Sequence, residues 1–416
     1  MTIRRIRGEG NSSLCGRLHE RTIQIVGIRS PEFALLVACC RWPLTPSTYR
    51  EIERWANGID WNRFARLAGR HRVEGLVWRA LANADVDVPQ AARKELSTAA
   101  TDIARKNMTI AAESFQLNQL FDRAGVRHMF VKGVTLGQLV YGDIARKAGW
   151  DIDLIVGPDD LDRAVEILEG KGYALETPSS AKARERLAIW HRHSKESIWQ
   201  SADGTMWVEL HTALSDNALL IPGIGAASPS DDVEISPGMF LPTLARDELF
   251  AYLCVHGASS AWFRLKWIAD LAGLIGDAPA NEVTRLYRRA IELGAGRSAA
   301  LALLLARLLF RSAVSPRLWR ELRSDRTNRW LVAVALRKLR GRAGAIELDE
   351  VFMGTASIHA AQLGLLPGWR FKRAELMRQL VSPIDRVGTP LPSLLTWLYP
   401  AIHLARLVRG KIDAPR

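Results

Sequence analysis

The chain has 416 residues, 48% of them hydrophobic, which is enough for two or three domains with apolar cores. No segment reaches the ~20 uninterrupted apolar residues of a transmembrane helix, so the composition argues against an integral membrane protein. The net charge of +13 favours anionic partners such as nucleotides, RNA or a membrane surface, although a generic Arg-rich composition gives the same excess.

The cysteines and the N-terminal segment bear on the compartment. Cys15, Cys39, Cys40 and Cys254 show no C-x-x-C spacing, so no zinc site is indicated and a reducing compartment fits. The N-terminal segment is basic and polar but lacks the apolar centre of a signal peptide. We therefore expect a cytoplasmic protein in which residues 1–30 form a disordered basic arm.

Residues 31–120 are predicted to be an N-terminal helical region. Apolar residues recur there at spacings of three and four, which is typical of amphipathic helices. The predicted helices cover residues 32–40, 46–56, 61–71, 73–83 and 89–120.

Residues 121–219 are predicted to be an α/β core that begins with a phosphate-binding turn. A short apolar strand, 126–131, ends at Lys132 and Gly133, and an amphipathic segment follows at 134–141. Glycine at a helix start lets backbone N–H groups approach an anion closely. Lys132 adds a positive charge and Thr135 a hydroxyl, so these three residues are candidate nucleotide-binding groups.

The next strand carries an Asp-x-Asp motif, Asp151-Ile152-Asp153, ahead of an apolar run. Residues two apart on a strand share one face, so the two carboxylates should point the same way. Paired hard oxygen ligands suit Mg²⁺, which binds through one or two carboxylates plus substrate phosphates. Such motifs are common by chance; the neighbouring Lys-Gly turn favours a metal site here.

A hairpin is predicted to close the core. A helix at 158–169 and a strand at 173–176 precede it. Asp203-Gly204 is a tight-turn signal between strands at 197–200 and 206–211, and the second strand alternates apolar and polar residues. Glu209 and His211 should therefore share a face, with a solvated polar face as the alternative.

The rest of the chain gives weaker signals. A basic stretch at 177–196, which includes Lys182 and Lys195, is interpreted as a solvated helix face or a contact to triphosphate. Residues 220–240 are predicted to be a loop or linker, 241–310 a helical region completing the cleft, and 311–416 a basic helical region. Residues 391–408 are predicted to be a core helix, with a helix lying on a membrane as the alternative.

These features together resemble the nucleotidyltransferase fold of the DNA polymerase beta superfamily. More closely they resemble a bacterial family of uncharacterised nucleotidyltransferases that is often found in peptide-modification gene clusters, such as those for lasso peptides. The resemblance covers most of residues 34–275. The matching residues are Val131-Lys132-Gly133, Tyr141, Arg146, Asp151 to Val156, Val208 to His211, Leu253 to Gly257, Trp262, Arg264 to Trp267, Asp270 and, more loosely, 60–62 and 68–73.

The resemblance implies an α+β fold, with a nucleotidyltransferase-like mixed β-sheet core flanked by N-terminal and C-terminal helical regions. It implies a metal-dependent enzyme that moves a nucleoside monophosphate from an NTP, by default ATP, to an acceptor with Mg²⁺ or Mn²⁺ as cofactor. Asp151, Asp153 and Glu209 would be the catalytic and metal-binding residues, with Glu209 as third ligand or general base. Further nucleotide-binding candidates are Arg146, Lys147, His256, Arg264 and Lys266.

Two departures leave alternatives open. The superfamily usually has Gly-Ser where this chain has Lys132-Gly133, and Trp150 stands where a small residue is usual in the family. Whether Arg146 or Lys147 supplies the loop cation is not fixed by the spacing. The acceptor is open between a peptide, a protein, an RNA and a small molecule. The alternatives are a nucleotide-binding accessory or scaffold protein without turnover, and an RNA- or tRNA-directed nucleotidyltransferase.

Overall fold

A computed structural model describes residues 30–179, 184–340 and 355–412, in which helices surround a five-stranded mixed sheet. The predicted α+β class, with helical regions on both sides of the sheet in sequence, is confirmed. Residues 1–29 of the predicted basic arm and Lys182 of the basic stretch lie outside the described residues.

The N-terminal helices begin where the capping residues predict. Ser30, Thr45 and Asp60 each accept a hydrogen bond from a backbone N–H of the first helical turn. The fifth helix continues past the predicted end at 120 to Arg123. The helices are α1 (Pro31–Cys39), α2 (Pro46–Ala56), α3 (Trp61–His71), α4 (Glu74–Leu81) and α5 (Gln90–Arg123).

The sheet has the order β1-β2-β5-β4-β3, in which β2 and β5 run parallel and the other neighbours antiparallel. The predicted hairpin of β4 and β5 is confirmed. The strands are β1 (His128–Phe130), β2 (Ile152–Val156), β3 (Tyr173–Thr177), β4 (Glu196–Ser201) and β5 (Trp207–His211). Between them lie α6 (Gly133–Tyr141), α7 (Leu161–Gly170), α8 (Leu187–His191) and two 3₁₀ turns at Ile144–Arg146 and Pro158–Asp160.

Residues 220–240, expected to be a loop or linker, contain part of a second hairpin. Strand β6 (Ser230–Ser236) pairs antiparallel with β7 (Met239–Leu244). Val233 and Ile235 are buried and alternate with exposed polar residues. The sequence did not predict this strand, because its composition is rich in Asp and Ser and only one of its faces is covered.

Beyond β7 the described residues form helices and their connections. The helices are α9 (Arg246–Ser259), α10 (Leu265–Ile275), α11 (Ala280–Glu292), α12 (Arg297–Phe310), α13 (Pro316–Ser324), α14 (Arg326–Arg340), α15 (Ala356–Gln362), α16 (Trp369–Leu380), α17 (Pro383–Gly388) and α18 (Tyr399–Ile412), with a 3₁₀ helix at Ser393–Leu398 before α18.

The predicted core helix at 391–408 is wrong. Leu394, Trp397 and Leu404 are 87%, 70% and 63% exposed, and the segment is divided between the 3₁₀ helix and α18. Pro400 in the first turn of α18 is compatible with the helix, but few of the apolar side chains find a partner.

The two faces of the sheet differ in chemistry. Ile152, Leu154 and Val208 pack with apolar side chains of α5 and α7 in one buried cluster. The opposite face carries Asp153 and Glu209 at the alternate positions and looks towards the helical half of the chain. Within the described part of the chain, no helix combines the length and apolar content needed to cross a bilayer.

Candidate active site

Two carboxylates lie side by side on the polar face of the sheet. In the parallel pairing of β2 and β5, Asp153 is in register with Glu209, and Ile155 with His211. Residues in register on neighbouring strands project from the same face, so these two acids lie together on one face of the sheet. Asp153 is buried and Glu209 is half-buried.

Asp151 stands one residue before β2 rather than within it. It is half-buried and lines the same cavity as Asp153 and Glu209. The Asp-x-Asp motif therefore places both carboxylates in one cavity, although only the second is held by the sheet.

The Lys-Gly turn brings a cation directly to Asp153. Val131 donates its backbone N–H to the Asp153 carbonyl (3.1 Å), and Gly133 has a φ of +64°, a conformation that favours glycine. The Lys132 ammonium lies 2.5 Å from Asp153 Oδ1. Lys132 therefore neutralises a carboxylate here, where the sequence predicted a phosphate contact.

The ion pair shifts both ionisations. Burial of Lys132 opposes its charge, but the Asp153 carboxylate outweighs that effect and raises the pKa of the ammonium above its usual range. Burial likewise opposes ionisation of Asp153, but Lys132 and the hydrogen bond from His211 hold the pKa of that carboxyl well below its usual value. Both groups are therefore charged.

His211 joins the acids on β5 and β2 to one on β4. Its Nε2 donates to Asp153 Oδ1 (3.3 Å) and lies 3.5 Å from Glu209 Oε2, while Nδ1 lies 3.3 Å from Glu196 Oε2. The ring is fully buried, which opposes its charge; Glu196 and the other two acids nonetheless raise the pKa of His211. These contacts make His211 a partner that holds the carboxylates together.

The pKa of Glu209 is shifted in the opposite direction to the pKa of Asp153. Burial, and then the charge of Asp153, raise the pKa of Glu209 to about 6. A carboxylate with such a pKa is ionised at neutral pH and is still a better base than an exposed glutamate.

Sequence reasoning did not single out Glu196. In the antiparallel pairing of β4 and β5, Glu196 is in register with His211, and the Lys195 ammonium contacts its carboxylate. Both residues line the cavity. The signal was present, because the Asp203-Gly204 turn fixes the register and so places residue 196 opposite 211.

Asp151, Asp153 and Glu209, the acidic face, line a cavity of about 230 Å³, and cations from three other segments line the same cavity. Arg72 follows α3, Lys147 follows the first 3₁₀ turn, and Lys266 lies in α10. The lining residues are Arg72, Lys132, Gly133, Leu136, Lys147, Ala148, Gly149, Asp151, Asp153, Lys195, Glu196, Glu209, Leu253, His256, Lys266, Trp267 and Asp270. We call Arg72, Lys147 and Lys266 the basic wall.

Asp270 anchors the basic wall. Its Oδ1 accepts a hydrogen bond from the Tyr141 hydroxyl (2.9 Å), and Lys147 Nζ lies 3.8 Å from its Oδ2. Burial and then the Lys147 ammonium lower the pKa of Lys266 to about 7. Two neighbouring ammonium groups repel each other, so the wall is suited to an anionic ligand.

Three predicted nucleotide-binding residues do not line the cavity. The Thr135 hydroxyl is buried and donates to the carbonyls of Phe130 (3.0 Å) and Lys132 (2.8 Å), so it holds the turn together. Arg146 pairs with Asp143 and lies over the ring of Trp42, and Arg264 is buried and donates to the Arg70 carbonyl. Lys147, not Arg146, is the loop cation that reaches the cavity.

The remaining candidates lie in the cavity wall. His256 lies edge-on to Trp267, with ring centroids 5.4 Å apart, and both residues line the cavity. Burial lowers the pKa of His256 well below its usual value, so its ring is neutral. Trp262, in contrast, is fully buried, as the sequence predicted for a core residue.

Trp150, the unusual residue before Asp151, lies outside the cavity. Its ring is 49% exposed, with the Lys106 ammonium 4.4 Å and the Arg72 guanidinium carbon 5.8 Å from the ring centroid. Because side chains alternate along an extended chain, Trp150 turns outward where Asp151 turns inward.

The acidic face fits a divalent cation. Ligand atoms of Asp153, Glu209 and His211 lie within 4.8 Å of one another, and Asp153 already accommodates the Lys132 ammonium. Carboxylate oxygens are the ligands that Mg²⁺ prefers, whereas imidazole suits transition metals. Because His211 is hydrogen-bonded to the acids and its pKa is raised, the carboxylates are the better candidates for ligands.

Comparison with known proteins identifies a family. A family model described as uncharacterised nucleotidyltransferase matches residues 57–311, which is more than half of the chain and includes every residue of the cavity. The chain therefore belongs to this family, and the resemblance seen in the sequence is confirmed. The match supports nucleotidyl transfer as the general activity. Comparison with curated proteins gave no match.

Proposed function

We propose that this chain, a member of the uncharacterised nucleotidyltransferase family, transfers a nucleoside monophosphate from an NTP to an acceptor hydroxyl and releases pyrophosphate. The observation that carries the proposal is a cavity lined by both acids and cations. Asp153 and Glu209 lie in register on neighbouring strands, and Lys147 and Lys266 line the same cavity.

The acidic face would hold the metal through Asp151 and Asp153. Mg²⁺ or Mn²⁺ fits these oxygen ligands, and when bound it would neutralise charge on the phosphate oxygens. For Asp153 to become a ligand, the Lys132 ammonium has to leave it. Lys132 would then turn from the carboxylate to a phosphate oxygen, since Lys132 and Asp153 line the same cavity.

The basic wall would bind the β- and γ-phosphates. Lys147 and Lys266 supply two ammonium groups to the cavity, and Arg72 a guanidinium. Phosphoryl-type transfer depends mainly on positioning and electrostatics, so cations that fix the pyrophosphate end also fix the α-phosphorus over the acidic face.

Glu209 is the proposed general base. The acceptor oxygen forms a bond to the α-phosphorus, the bond from that phosphorus to pyrophosphate breaks, and the acceptor proton passes to the Glu209 carboxylate. The raised pKa of Glu209, about 6, suits this transfer near neutral pH. His211 positions Glu209 and Asp153 through its Nε2.

The donor and the acceptor are assigned on different grounds. The residues that line the cavity do not indicate a preferred base, so we take ATP, the most abundant NTP, as the donor. The peptide-modification gene clusters typical of the family make a ribosomally made peptide the first acceptor to test, ahead of a protein, an RNA or a small molecule.

The test is transfer of label from each α-labelled NTP to a cell extract with Mg²⁺ or Mn²⁺. The proposal predicts a labelled acceptor, with peptidase, protease and nuclease treatment identifying its class. An Asp151→Asn/Asp153→Asn protein should give no labelled product. Equal labelling by the wild type and by the Asp151→Asn/Asp153→Asn variant would reject the proposed site. An RNA acceptor should also be bound with a steep salt dependence.

A second candidate function is nucleotide binding without turnover, as in an accessory protein. The Lys132–Asp153 ion pair favours it, because a permanent ammonium at Asp153 would compete with the metal. NTP binding that is unchanged by chelation of divalent cations, together with no label transfer, would support this reading.

A further inference from the structure

The C-terminal segment presents large apolar side chains to solvent on more than one element. On α16, Trp369, Leu376 and Leu380 are exposed. Leu376 lies seven positions after Trp369, and Leu380 lies eleven positions after it. At 3.6 residues per turn these three lie within roughly 20° of one line along the helix. Among the described residues, this apolar stripe has no partner.

Further exposed apolar side chains follow on the next elements. Leu394 and Trp397 are three apart in a 3₁₀ helix, where side chains at that spacing eclipse each other. Leu404 on α18 is seven residues beyond Trp397 and is also exposed, at 63%. We call the exposed apolar residues Trp369, Leu376, Leu380, Leu394, Trp397 and Leu404 the C-terminal apolar surface.

The charges around this surface have one sign. Residues 355–406 contain two acids, Glu375 and Asp385, and both are buried. Arg378 pairs with Glu375, and Arg406 pairs with Asp385. Arg370, Lys372 and Arg373 on α16 are exposed, so the solvent-facing charge of this segment is cationic.

We propose that the C-terminal apolar surface binds an anionic lipid bilayer in the interfacial plane. Exposed tryptophan and leucine beside arginine and lysine is the composition of surface-bound amphipathic helices. Anionic headgroups would neutralise Arg370, Lys372 and Arg373, while the aliphatic and indole side chains enter the acyl boundary.

Other partners fit less well. A symmetric contact with a second copy would bring the same exposed cations together. Nucleic acid would accept the cations and the tryptophans, but Leu376, Leu380, Leu394 and Leu404 have no π-face on which a base stacks. The bilayer alone uses the aliphatic, indole and cationic side chains at once.

The test is co-sedimentation of the full chain with vesicles of phosphatidylcholine alone and of phosphatidylcholine mixed with phosphatidylglycerol. We expect binding to the mixed vesicles and little to the neutral ones, weakening as salt rises. Replacing Arg370, Lys372 and Arg373 by serine should weaken binding to the mixed vesicles by roughly a hundredfold.

The apolar part is tested with Leu394→Ser/Trp397→Ser, which should weaken binding by at least roughly tenfold. The matched control is Met108→Ser/Phe240→Ser, which replaces two exposed apolar residues elsewhere (68% and 47% exposed) and should bind as wild type. Circular dichroism checks that each variant is folded.

Three outcomes would overturn the proposal. One is equal binding to neutral and anionic vesicles, or a loss of binding in Met108→Ser/Phe240→Ser that is as large as the loss in Leu394→Ser/Trp397→Ser. The second is no vesicle binding with a concentration-dependent dimer in light scattering, which would assign the surface to a second copy. The third is no vesicle binding with salt-sensitive RNA binding that Leu394→Ser/Trp397→Ser abolishes.

Discussion

Asp153 and Glu209 face each other in register across the parallel strands β2 and β5, and their ionisations are shifted in opposite directions. The Lys132 ammonium holds Asp153 in its charged form, and the charge of Asp153, together with burial, makes Glu209 a weaker acid. One carboxylate is thus fixed as an anion and its neighbour is left as the proton acceptor. This division of roles underlies the predictions that follow.

Replacing Glu209 by glutamine should change the stability of the metal-free protein in a pH-dependent way. The pKa of Glu209 is raised from its usual 4.5 to about 6, so the folded state binds this proton more tightly than the unfolded chain does. The stabilisation by that proton is complete below about pH 4.5 and is lost as pH rises through about 6. Glu209→Gln should therefore raise the free energy of unfolding at pH 7.5 by about 2 kcal/mol, with most of the gain lost near pH 4.5. Urea unfolding with chelator at both pH values measures it; a loss of stability at pH 7.5 would contradict the repulsion from Asp153.

NTP affinity should fall as pH rises through about 7 because of Lys266. Its pKa is lowered to about 7 by burial and then by Lys147, so the ammonium that would bind phosphate is present below that pH and lost above it. A bound triphosphate raises the pKa of Lys266, so the affinity for NTP falls gradually as the pH rises. Titration of NTP binding between pH 6 and 9 should show the fall in wild type and a weak, flatter dependence in Lys266→Met. Equal pH profiles for the two proteins would remove Lys266 from the phosphate site.

Substituting the neighbouring cations Lys147 and Arg146 in the loop before β2 should affect NTP binding differently. Lys147 lines the cavity, whereas Arg146 pairs with Asp143 and lies over Trp42. Lys147→Met should weaken NTP binding by roughly tenfold or more, since a charge-assisted contact contributes about 1.5–3 kcal/mol. Arg146→Met is the matched variant: it should lower stability and leave the dissociation constant nearly unchanged. The reverse pattern would assign the phosphate contact to Arg146.

Thr135 should matter for stability but not for substrate. Its buried hydroxyl donates to two backbone carbonyls of the Lys-Gly turn. Thr135→Val should cost about 1–3 kcal/mol of unfolding free energy, and Thr135→Ser, which keeps the hydroxyl, clearly less. The KM for NTP should stay close to that of wild type in both variants. A large rise in KM with unchanged stability would restore Thr135 as a phosphate ligand.

The alternation of residues along strands predicted that Glu209 and His211 share a face, and the family resemblance linked Glu209 to the Asp-x-Asp strand. The Asp203-Gly204 turn marks the hairpin that carries Glu209. The sequence did not predict which cations reach the cavity. Lys147 and Arg146 are adjacent, and only the 3₁₀ turn at Ile144–Arg146 decides that one turns inward and the other outward.

Two further features depended on long-range packing. Strand β6 has mostly exposed residues and a turn-like composition, so its pairing with β7 could not be read from local propensity. The C-terminal segment has the apolar content of a core helix, but burial depends on a partner. In the described residues, Leu394 and Trp397 lack one.

The central claim is tested most directly by metal-dependent pyrophosphate release from NTP in wild type and Asp153→Asn, with cell extract as the acceptor pool. The matched control is Asp159→Asn, an exposed carboxylate just beyond the other end of β2. We predict release in wild type and Asp159→Asn that requires Mg²⁺ or Mn²⁺, and loss of at least roughly a thousandfold in Asp153→Asn. Metal-dependent release that survives in Asp153→Asn at the wild-type rate would contradict the assignment of the acidic face as the catalytic centre.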